Sequence, residues 1–168
     1  MRVDEVAIRE FLHTHYPRLV AAVALACGSR PLAEDAVQEA LLKAWERSER
    51  GEDIDSMNGW VTTVALNHAR SGVRRILAER KARSRMPRSM AEPLSDERID
   101  LERALSTLPR RQREAVVLRY YLQMDTREVA GALGINEGTV KSTLSRARAA
   151  LADRLGVQEP EEASDRGA

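Results

Sequence analysis

The stretch MDTREVAGALGINEGTVKSTL, residues 124–144, carries the signals of a helix, a short turn and a second helix. Asp125 with Glu128 three residues later predicts a capping box, in which each side chain bonds the other residue's backbone N–H. Gly134 suits the left-handed backbone that ends a helix, and Asn136 is a favoured cap for the next helix. Two helices joined by so short a turn are typical of a helix-turn-helix unit.

The second helix of this unit continues to residue 151 and has two unlike faces. Small outward residues permit close approach to the major groove of DNA, and lysine or arginine can bond guanine edges or phosphates. We therefore predict a DNA-reading face; an ordinary solvated basic face is the alternative. Helical spacing turns inward the apolar residues Val140, Leu144, Ala147 and Leu151. The outward residues are Gly138, Lys141, Ser142, Ser145, Arg146 and Ala149, flanked by Thr139 and Arg148.

The composition of the whole chain predicts an all-α fold. The 168 residues are 43% hydrophobic and only 4% aromatic, and no alternating apolar run marks a strand. Residues 83–98 hold two prolines and three serines, which is typical of a linker. We predict two small helical domains, 1–83 and 99–156, joined by a flexible linker at 84–98 and followed by an acidic, disordered tail at 157–168.

Charge is unevenly distributed along the chain. The formal net charge is +1, but residues 101–156 hold ten Lys or Arg against six Asp or Glu. Local basic charge attracts anionic partners even when the total is near zero. The composition of the second domain therefore fits a nucleic-acid partner.

Motifs for catalysis and metal binding are missing from the sequence. His13 and His15 lie on opposite sides of any helix that contains both, and no Glu-x-x-His or Cys-x-x-Cys spacing occurs. The single Cys27 cannot form an intrachain disulfide, and the apolar run 19–27 is too short to cross a bilayer. We predict a cytoplasmic protein that is not an enzyme, needs no cofactor or metal, and contacts no membrane.

The segment that opens with SRPLAED predicts the second helix of the chain, with Ser29 or Arg30 ahead of Pro31 in the first turn. An apolar residue inside a charged rim is typical of a protein-docking face, and Leu42 has this setting. A solvated acidic surface is the alternative. The apolar stripe of the helix is Ala33, Val37, Ala40, Leu41 and Ala44. The opposite side holds Asp35, Gln38, Glu39, Leu42 and Glu46.

The segment WVTTVALNHARSGVRRILAERKAR, residues 60–83, predicts a third helix with two faces. An aromatic ring beside hydrogen-bonding and cationic groups suits single-stranded nucleic acid, because a base can stack on the ring while the cations meet the backbone. A tryptophan packed against a neighbouring helix is the alternative. One face holds Val61, Ala65, Ala69, Gly72, Val73 and Ile76. The other holds Trp60, Thr63, Asn67, Arg70 and Arg74.

Three motifs in order resemble the extracytoplasmic-function type of bacterial sigma factor. They are AEDAVQEALLKAWER, then WVTTVALNHARSGVRR, then LPRRQREAVVLRYYLQMDTREVAGALGINEGTVKSTLSRARAAL, and the resemblance covers about residues 5–156. It implies an alternative sigma factor that binds core RNA polymerase at the β′ clamp and β flap. Such a subunit directs polymerase to promoters through minus-10 and minus-35 elements and helps to open the DNA. Some members of the family are held by an anti-sigma factor.

By motif match, the resemblance assigns three groups of contacts. The polymerase contacts are Asp35, Gln38, Glu39, Leu42 and Trp45. The minus-10 contacts are Trp60, Thr63, Asn67, Arg70 and Arg74, and the loop at 51–59 stands where the family captures a flipped base. The minus-35 contacts are Thr139, Lys141, Ser142, Ser145, Arg146 and Arg148, with Arg113, Arg119 and Arg127 as further DNA-backbone candidates.

A stand-alone helix-turn-helix regulator of duplex operators is the competing hypothesis. It predicts binding of palindromic duplex sites whose halves lie one helical turn apart. Such a protein has no use for the Trp60 face or the acidic face around Leu42. A purely structural helical adaptor, the third hypothesis, would leave both basic surfaces unexplained.

Overall fold

The computed structural model describes residues 4–83 and 96–155, and no strand occurs in these two ranges. Most of the predicted linker and the whole predicted tail lie outside the described residues. Helix α5 begins at Asp96, so the last three positions of the predicted linker are helical. The helices are α1 (Glu5–Thr14), α2 (Tyr16–Cys27), α3 (Arg30–Glu49), α4 (Met57–Arg83), α5 (Asp96–Ser106), α6 (Arg110–Val116), α7 (Thr126–Leu133) and α8 (Glu137–Leu155).

The segment before Ser29 forms two helices, so the prediction of a single helix there is wrong. Helix α1 ends at Thr14 and α2 begins at Tyr16. Pro17 lies in the first turn of α2, where its missing N–H costs no helical hydrogen bond. The break lets α2 bury Leu19, Val20 and Val23 in the core.

Helices α3 and α4 build the centre of the first domain. Ser29 caps α3, and its Oγ accepts a hydrogen bond from the Leu32 N–H at 3.4 Å. The whole predicted apolar stripe of α3 is buried, which confirms the periodicity argument. Gly72 of α4 lies against the Leu32 side chain of α3, and a Cβ atom at Gly72 would require the end of that side chain to move. This close approach is one of the contacts between α4 and α3.

The helix-turn-helix is confirmed by its caps. The Asp125 side chain accepts from the Glu128 N–H at 2.8 Å, and the Glu128 side chain accepts from the Asp125 N–H at 2.7 Å. Gly134 adopts a φ of 65° at the end of α7, and Asn136 Oδ1 accepts from the Thr139 N–H at 2.7 Å. These local bonds end α7 and begin α8. Val140, near the junction of the two helices, is fully buried.

A π-helical turn, Val117–Tyr121, extends α6. It belongs to the second domain and packs against α2 of the first domain. Its Val117 and Leu118 side chains are buried against Ala22, Val23 and Leu66, with no cavity large enough for a water molecule. We call the contact of α2 with α6 and this turn, together with the contact of α4 with α6 and α7, the interdomain interface. The periodicity of the sequence does not predict it. In this structure the two predicted domains share one core.

Removing the capping box should cost measurable stability. We expect Asp125→Ala to lower the free energy of unfolding by roughly 1 kcal/mol, because the Glu128 N–H loses its acceptor. For a chain of this size that is a drop in Tm of about 2 to 4 °C. Thermal melts followed by circular dichroism give the value. Asp153→Ala, at an exposed site late in α8, is the matched control; equal melts for both variants would contradict the capping role.

Candidate nucleic-acid and protein interfaces

The outer face of α3 combines one apolar side chain with acidic and amide groups. Leu42 is 52% exposed, and Asp35, Gln38 and Glu46 around the same face are exposed as well. Glu39 is half-buried and pairs with Lys43 at 3.3 Å. An apolar side chain inside a polar rim is a feature of docking faces, and polymerase binding by this face stays a prediction.

Trp45 and Trp60 are both half-buried, so neither ring stands fully in solvent. The Arg47 guanidinium lies 6.0 Å from the centre of the Trp60 ring, which also packs against the core. Thr63 donates its hydroxyl hydrogen to the Gly59 carbonyl at 2.9 Å. Trp60 therefore packs against neighbouring helices, as one prediction held, and part of its ring stays exposed, as the other prediction requires.

Asn67 and Arg74 are exposed on α4, whereas Arg70 is not. The Arg70 side chain is only 13% exposed, and its Nε and Nη2 donate to the two carboxylate oxygens of Glu114, each at 2.9 Å. Its Nη1 donates to Asn67 Oδ1 at 2.8 Å. Arg74 donates to the Ser71 hydroxyl at 3.1 Å. The predicted outward position of Arg70 is therefore wrong, because its side chain forms an ion pair across the interdomain interface.

The loop at 51–59 is anchored by apolar side chains and by local ion pairs. Ile54 and Met57 are buried, while the acidic residues between and around them are exposed. Glu52 bonds Arg47 and Arg50, each at 3.2 Å. The last three positions of the predicted loop, 57–59, already belong to α4. Base capture by the loop stays a prediction.

The outward face of α8 is open along its length. All six predicted minus-35 residues are exposed: Thr139, Lys141, Ser142, Ser145, Arg146 and Arg148. The Ser142 hydroxyl donates to the Thr139 carbonyl at 3.1 Å. Among the three looser candidates, Arg127 is exposed, Arg113 is half-buried and Arg119 donates to the Met124 carbonyl at 2.8 Å. The face thus presents small and cationic groups together, and binding of the minus-35 element by it stays a prediction.

Comparison with known proteins gives the family. Residues 11–78 match Sigma-70 region 2, and residues 98–151 match Sigma-70, region 4. The ECF RNA polymerase sigma factor SigL of Mycobacterium tuberculosis is 33% identical over 92% of this chain and 92% of its own length. This chain belongs to the extracytoplasmic-function sigma factors.

Two further comparisons agree with this assignment. The RNA polymerase sigma-E factor of Streptomyces coelicolor is 36% identical over 73% of this chain and 71% of its own length. The sigma factor RpoE of Bartonella quintana, solved in complex with the anti-sigma factor NepR, matches with a TM-score of 0.78 and 29% identity over 92% of this chain and 99% of that chain. The predicted family is confirmed, and sigma factors are a non-enzymatic class of transcription initiation factors.

Glu114 is the residue of this sigma factor that the sequence analysis missed. It is 2% exposed and bonds Arg70, and Arg110 lies 3.6 Å from the same carboxylate. The signal was present: Glu114 shares a helical stripe with Val117 and Leu118, both buried. A carboxylate on an apolar stripe needs a charged partner, because burying it alone is too costly.

The lone cysteine of the sigma factor lies beside this ion pair. Cys27, at the end of α2, lines a cleft of about 220 Å³ together with Arg70, Arg113 and Glu114. Its thiol donates to the Ser29 carbonyl at 3.3 Å. Burial raises the pKa of the Cys27 thiol above its ordinary value, against the smaller opposing effects of backbone hydrogen bonding at Ser29 and Cys27 and of the charge of Arg113. The thiol is therefore less reactive than a free cysteine at neutral pH.

The described part of this sigma factor has neither a metal-binding cluster nor a membrane-crossing helix. Within residues 4–83 and 96–155, no cluster of three or more His, Cys, Asp or Glu could hold a metal ion. In the same part of the chain, no helix has both the length and the apolar character to cross a membrane.

Proposed function

We propose that this sigma factor binds core RNA polymerase, directs it to promoters through minus-10 and minus-35 elements, and helps to open the DNA. In this proposal residues 1–83 serve polymerase and the minus-10 element, and residues 99–156 serve the minus-35 element. One observation supports the proposal above the others. The chain has two exposed faces of opposite charge, an acidic one around Leu42 on α3 and a basic one along α8. A duplex-only regulator would need the second face and not the first.

Each surface has a separate task in this proposal. The α3 face docks on the β′ clamp, and Leu42 fills an apolar pocket there. Asn67 and the loop at 51–59 read unpaired bases, whose removal from the stack costs a few kcal/mol that protein contacts repay. The α8 face enters the major groove at the minus-35 element, with Lys141 and Arg146 as the long donors.

An anti-sigma factor is a second proposed partner of the chain. The similar Bartonella RpoE was solved bound to the anti-sigma factor NepR, and CnrH was solved bound to the cytosolic domain of CnrY. The first of these supports the proposal, because its similarity extends over nearly the whole of both chains. CnrH, at 23% identity, supports the fold alone.

Reconstitution with core polymerase tests the main proposal. The purified chain is mixed with core enzyme and genomic fragments, and runoff transcripts are mapped to find promoters that need this chain. We expect specific start sites to appear only when both components are present. Failure of the chain to bind core enzyme, or transcription that ignores it, would refute the proposal.

Asn67 should affect the choice of base at the minus-10 element. We expect Asn67→Ala to reduce the preference for one base by roughly 1 to 3 kcal/mol, the range for loss of a paired side-chain contact to a base. Abortive transcription from promoters varied at each minus-10 position measures this preference. Glu79→Gln, three turns further along the exposed side of α4, is the control. An unchanged preference in Asn67→Ala would remove this residue from the reading set.

A further inference from the structure

The end of α3 and the start of the loop at 51–59 are joined by a defined backbone motif. Gly51 adopts a φ of 77°, and its N–H donates to the Ser48 carbonyl at 2.9 Å. The next N–H, that of Glu52, donates to the Arg47 carbonyl at 3.1 Å. This pair of bonds is the Schellman motif, in which a glycine with a left-handed backbone ends a helix. The first residues of the loop therefore have a fixed direction relative to α3.

The Arg47 side chain adds two contacts to this motif. Its Nη2 lies 3.2 Å from Glu52 Oε2, so Arg47 and Glu52 are joined by their side chains as well as by their backbones. The same guanidinium lies 6.0 Å from the centre of the Trp60 ring, near the start of α4. A guanidinium over an aromatic face is attracted by the π electrons of the ring. One side chain of α3 thus binds both the start of the loop and a predicted minus-10 contact.

The other end of the loop is fixed by the first turn of α4. Ser56 Oγ accepts a hydrogen bond from the Gly59 N–H at 3.2 Å, and the Ser56 carbonyl accepts one from the Trp60 N–H at 2.9 Å. Between the two ends, the Ile54 side chain is buried. Arg47 connects the two ends of the loop directly, because it contacts one residue from each.

The position of Arg47 carries a local cost in stability. Its side chain is 38% exposed, but its Nε is buried without a hydrogen-bond partner. A buried donor that lacks an acceptor is unfavourable, so the stability of the fold does not by itself account for an arginine here. Local costs of this kind are typical of functional sites.

Capture of an unpaired base needs a site that is already formed. Removing the base from the stack costs free energy, which contacts with the protein must offset. A loop that becomes ordered only on binding would lose part of that contact energy to the ordering. A small displacement of a contacting group is also enough to weaken its contact severely. The order of the loop and of the Trp60 ring therefore affects base capture as strongly as the groups that touch the base.

We propose that Arg47 is a positioning residue for base capture at the minus-10 element, which holds the start of the 51–59 loop through Glu52 and the Trp60 ring through its cation. This inference rests on the proposed function, because it takes the loop and Trp60 as the site of the unpaired base. The Arg47 guanidinium is already bound within the chain, so it acts through these two residues. The inference adds to the minus-10 site a residue of α3, the helix that also carries Leu42.

Three substitutions separate the positioning role from a general effect of charge. Arg47→Met keeps an unbranched apolar side chain and removes the cation together with its unpaired Nε, so we expect it to fold. Arg47→Lys is the conservative variant, because it keeps a cation that can approach the ring. Arg50→Met is the matched control, because Arg50 pairs with the same Glu52 carboxylate at 3.2 Å and its loss leaves Arg47 at Trp60. Circular dichroism melts check that each full-length variant is folded.

The measurement is the preference among the four bases at the captured minus-10 position. That position is located first, on promoters mapped by runoff transcription, by placing 2-aminopurine at successive minus-10 positions of the strand that is melted out. The fluorescence of 2-aminopurine rises when the base leaves the stack. Holoenzyme is then reconstituted from core enzyme and each variant, and abortive transcription from the four base variants gives the preference. Binding of each variant to core enzyme is measured separately.

Arg47→Met should weaken the base preference at the captured position. We expect a loss of about fivefold or more, the lower end of the discrimination that one base contact supplies. Arg47→Lys should recover most of the preference, because a cation again lies at the ring. Arg50→Met should stay within about a factor of two of the original chain, the size of a single exposed charge effect.

The outcomes separate this inference from the proposed function. A weaker preference in Arg47→Met with recovery in Arg47→Lys supports the positioning role. An equal loss of transcription on all four bases shows that Arg47 is only structural and overturns the inference. An unchanged preference in Arg47→Met overturns it too, as does the same loss of preference in Arg50→Met. Absence of a fluorescence rise with the original chain overturns base capture and this inference with it. Failure of the proposed function is recognised separately, because the original chain would then give no promoter-specific runoff transcripts.

Discussion

Replacing Leu42 by aspartate is expected to abolish most of the affinity for core polymerase while leaving the fold intact. The side chain is 52% exposed and lies outside the buried core, so we expect the substitution to leave the core packing intact. An apolar anchor at the centre of an interface contributes about 2 kcal/mol or more, so the Kd should rise roughly thirtyfold. The new carboxylate would also be desolvated on docking, which adds to the loss. Binding of labelled chain to immobilised core enzyme measures the effect.

The control for Leu42 is a second exposed leucine. Leu12 of α1 is 44% exposed, so Leu12→Asp makes the same chemical change on a different helix of the same domain. We expect this variant to bind core enzyme as the original chain does. Equal losses in both variants would point to a general effect of surface charge, and no loss in either would remove the α3 face from the docking site.

Features set by neighbouring residues could be predicted from the sequence. The caps at Ser29, Asp125 and Asn136 involve partners three residues away, so their side chains and their spacing contain the whole signal. The buried stripe of α3 and the buried Val140, Leu144 and Ala147 of α8 follow from helical periodicity in the same way, whereas Leu151 is only half-buried. This is why the helix-turn-helix and the outward faces around Leu42 and Arg146 lie where they were predicted.

Features set by distant residues could not be predicted in the same way. Glu114 is 44 positions from Arg70 in the sequence, and Arg18 is 103 positions from Tyr121. Periodicity assigns a residue to a helix face but does not identify what packs on that face. Arg70 was grouped with Asn67 on a polar face, although Leu66, at its i−4 position, is buried and lines the cleft with it. The border position of Arg70 was the available clue.

The π-helical turn that extends α6 is another feature that local sequence does not predict. Val117–Tyr121 forms a π-helical turn, and its last carbonyl, that of Tyr121, is bonded by Arg18 from the first domain. Gln123, just beyond, adopts a φ of 60°, which is uncommon for a residue other than glycine. Local preference favours neither conformation, and both occur in the segment that joins α6 to α7. Such irregularities are often found at functional sites, and here they coincide with the interdomain interface.

Removing Arg146 should relax the choice of sequence at the minus-35 element. Arg146 is exposed on α8 between Ser142 and Ala149, where small neighbours let the helix approach the groove floor. A bidentate bond to guanine discriminates against other bases by roughly 1 to 3 kcal/mol, about five- to 150-fold in relative affinity. We expect Arg146→Ala to lose that factor between a mapped promoter and the same promoter with a scrambled minus-35 element. Gel-shift titrations with reconstituted holoenzyme measure it.

Salt dependence distinguishes base reading by Arg146 from simple phosphate binding. A phosphate contact releases a counterion, so its loss reduces the slope of log K against log salt by about one and weakens all sequences alike. A base contact changes the ratio between sequences and changes that slope much less. Arg154→Ala, an exposed arginine two turns later on α8, is the matched control and should leave the ratio unchanged. If Arg146→Ala weakens both templates equally, Arg146 binds phosphate, and the reading role passes to Lys141 and the serines beside it.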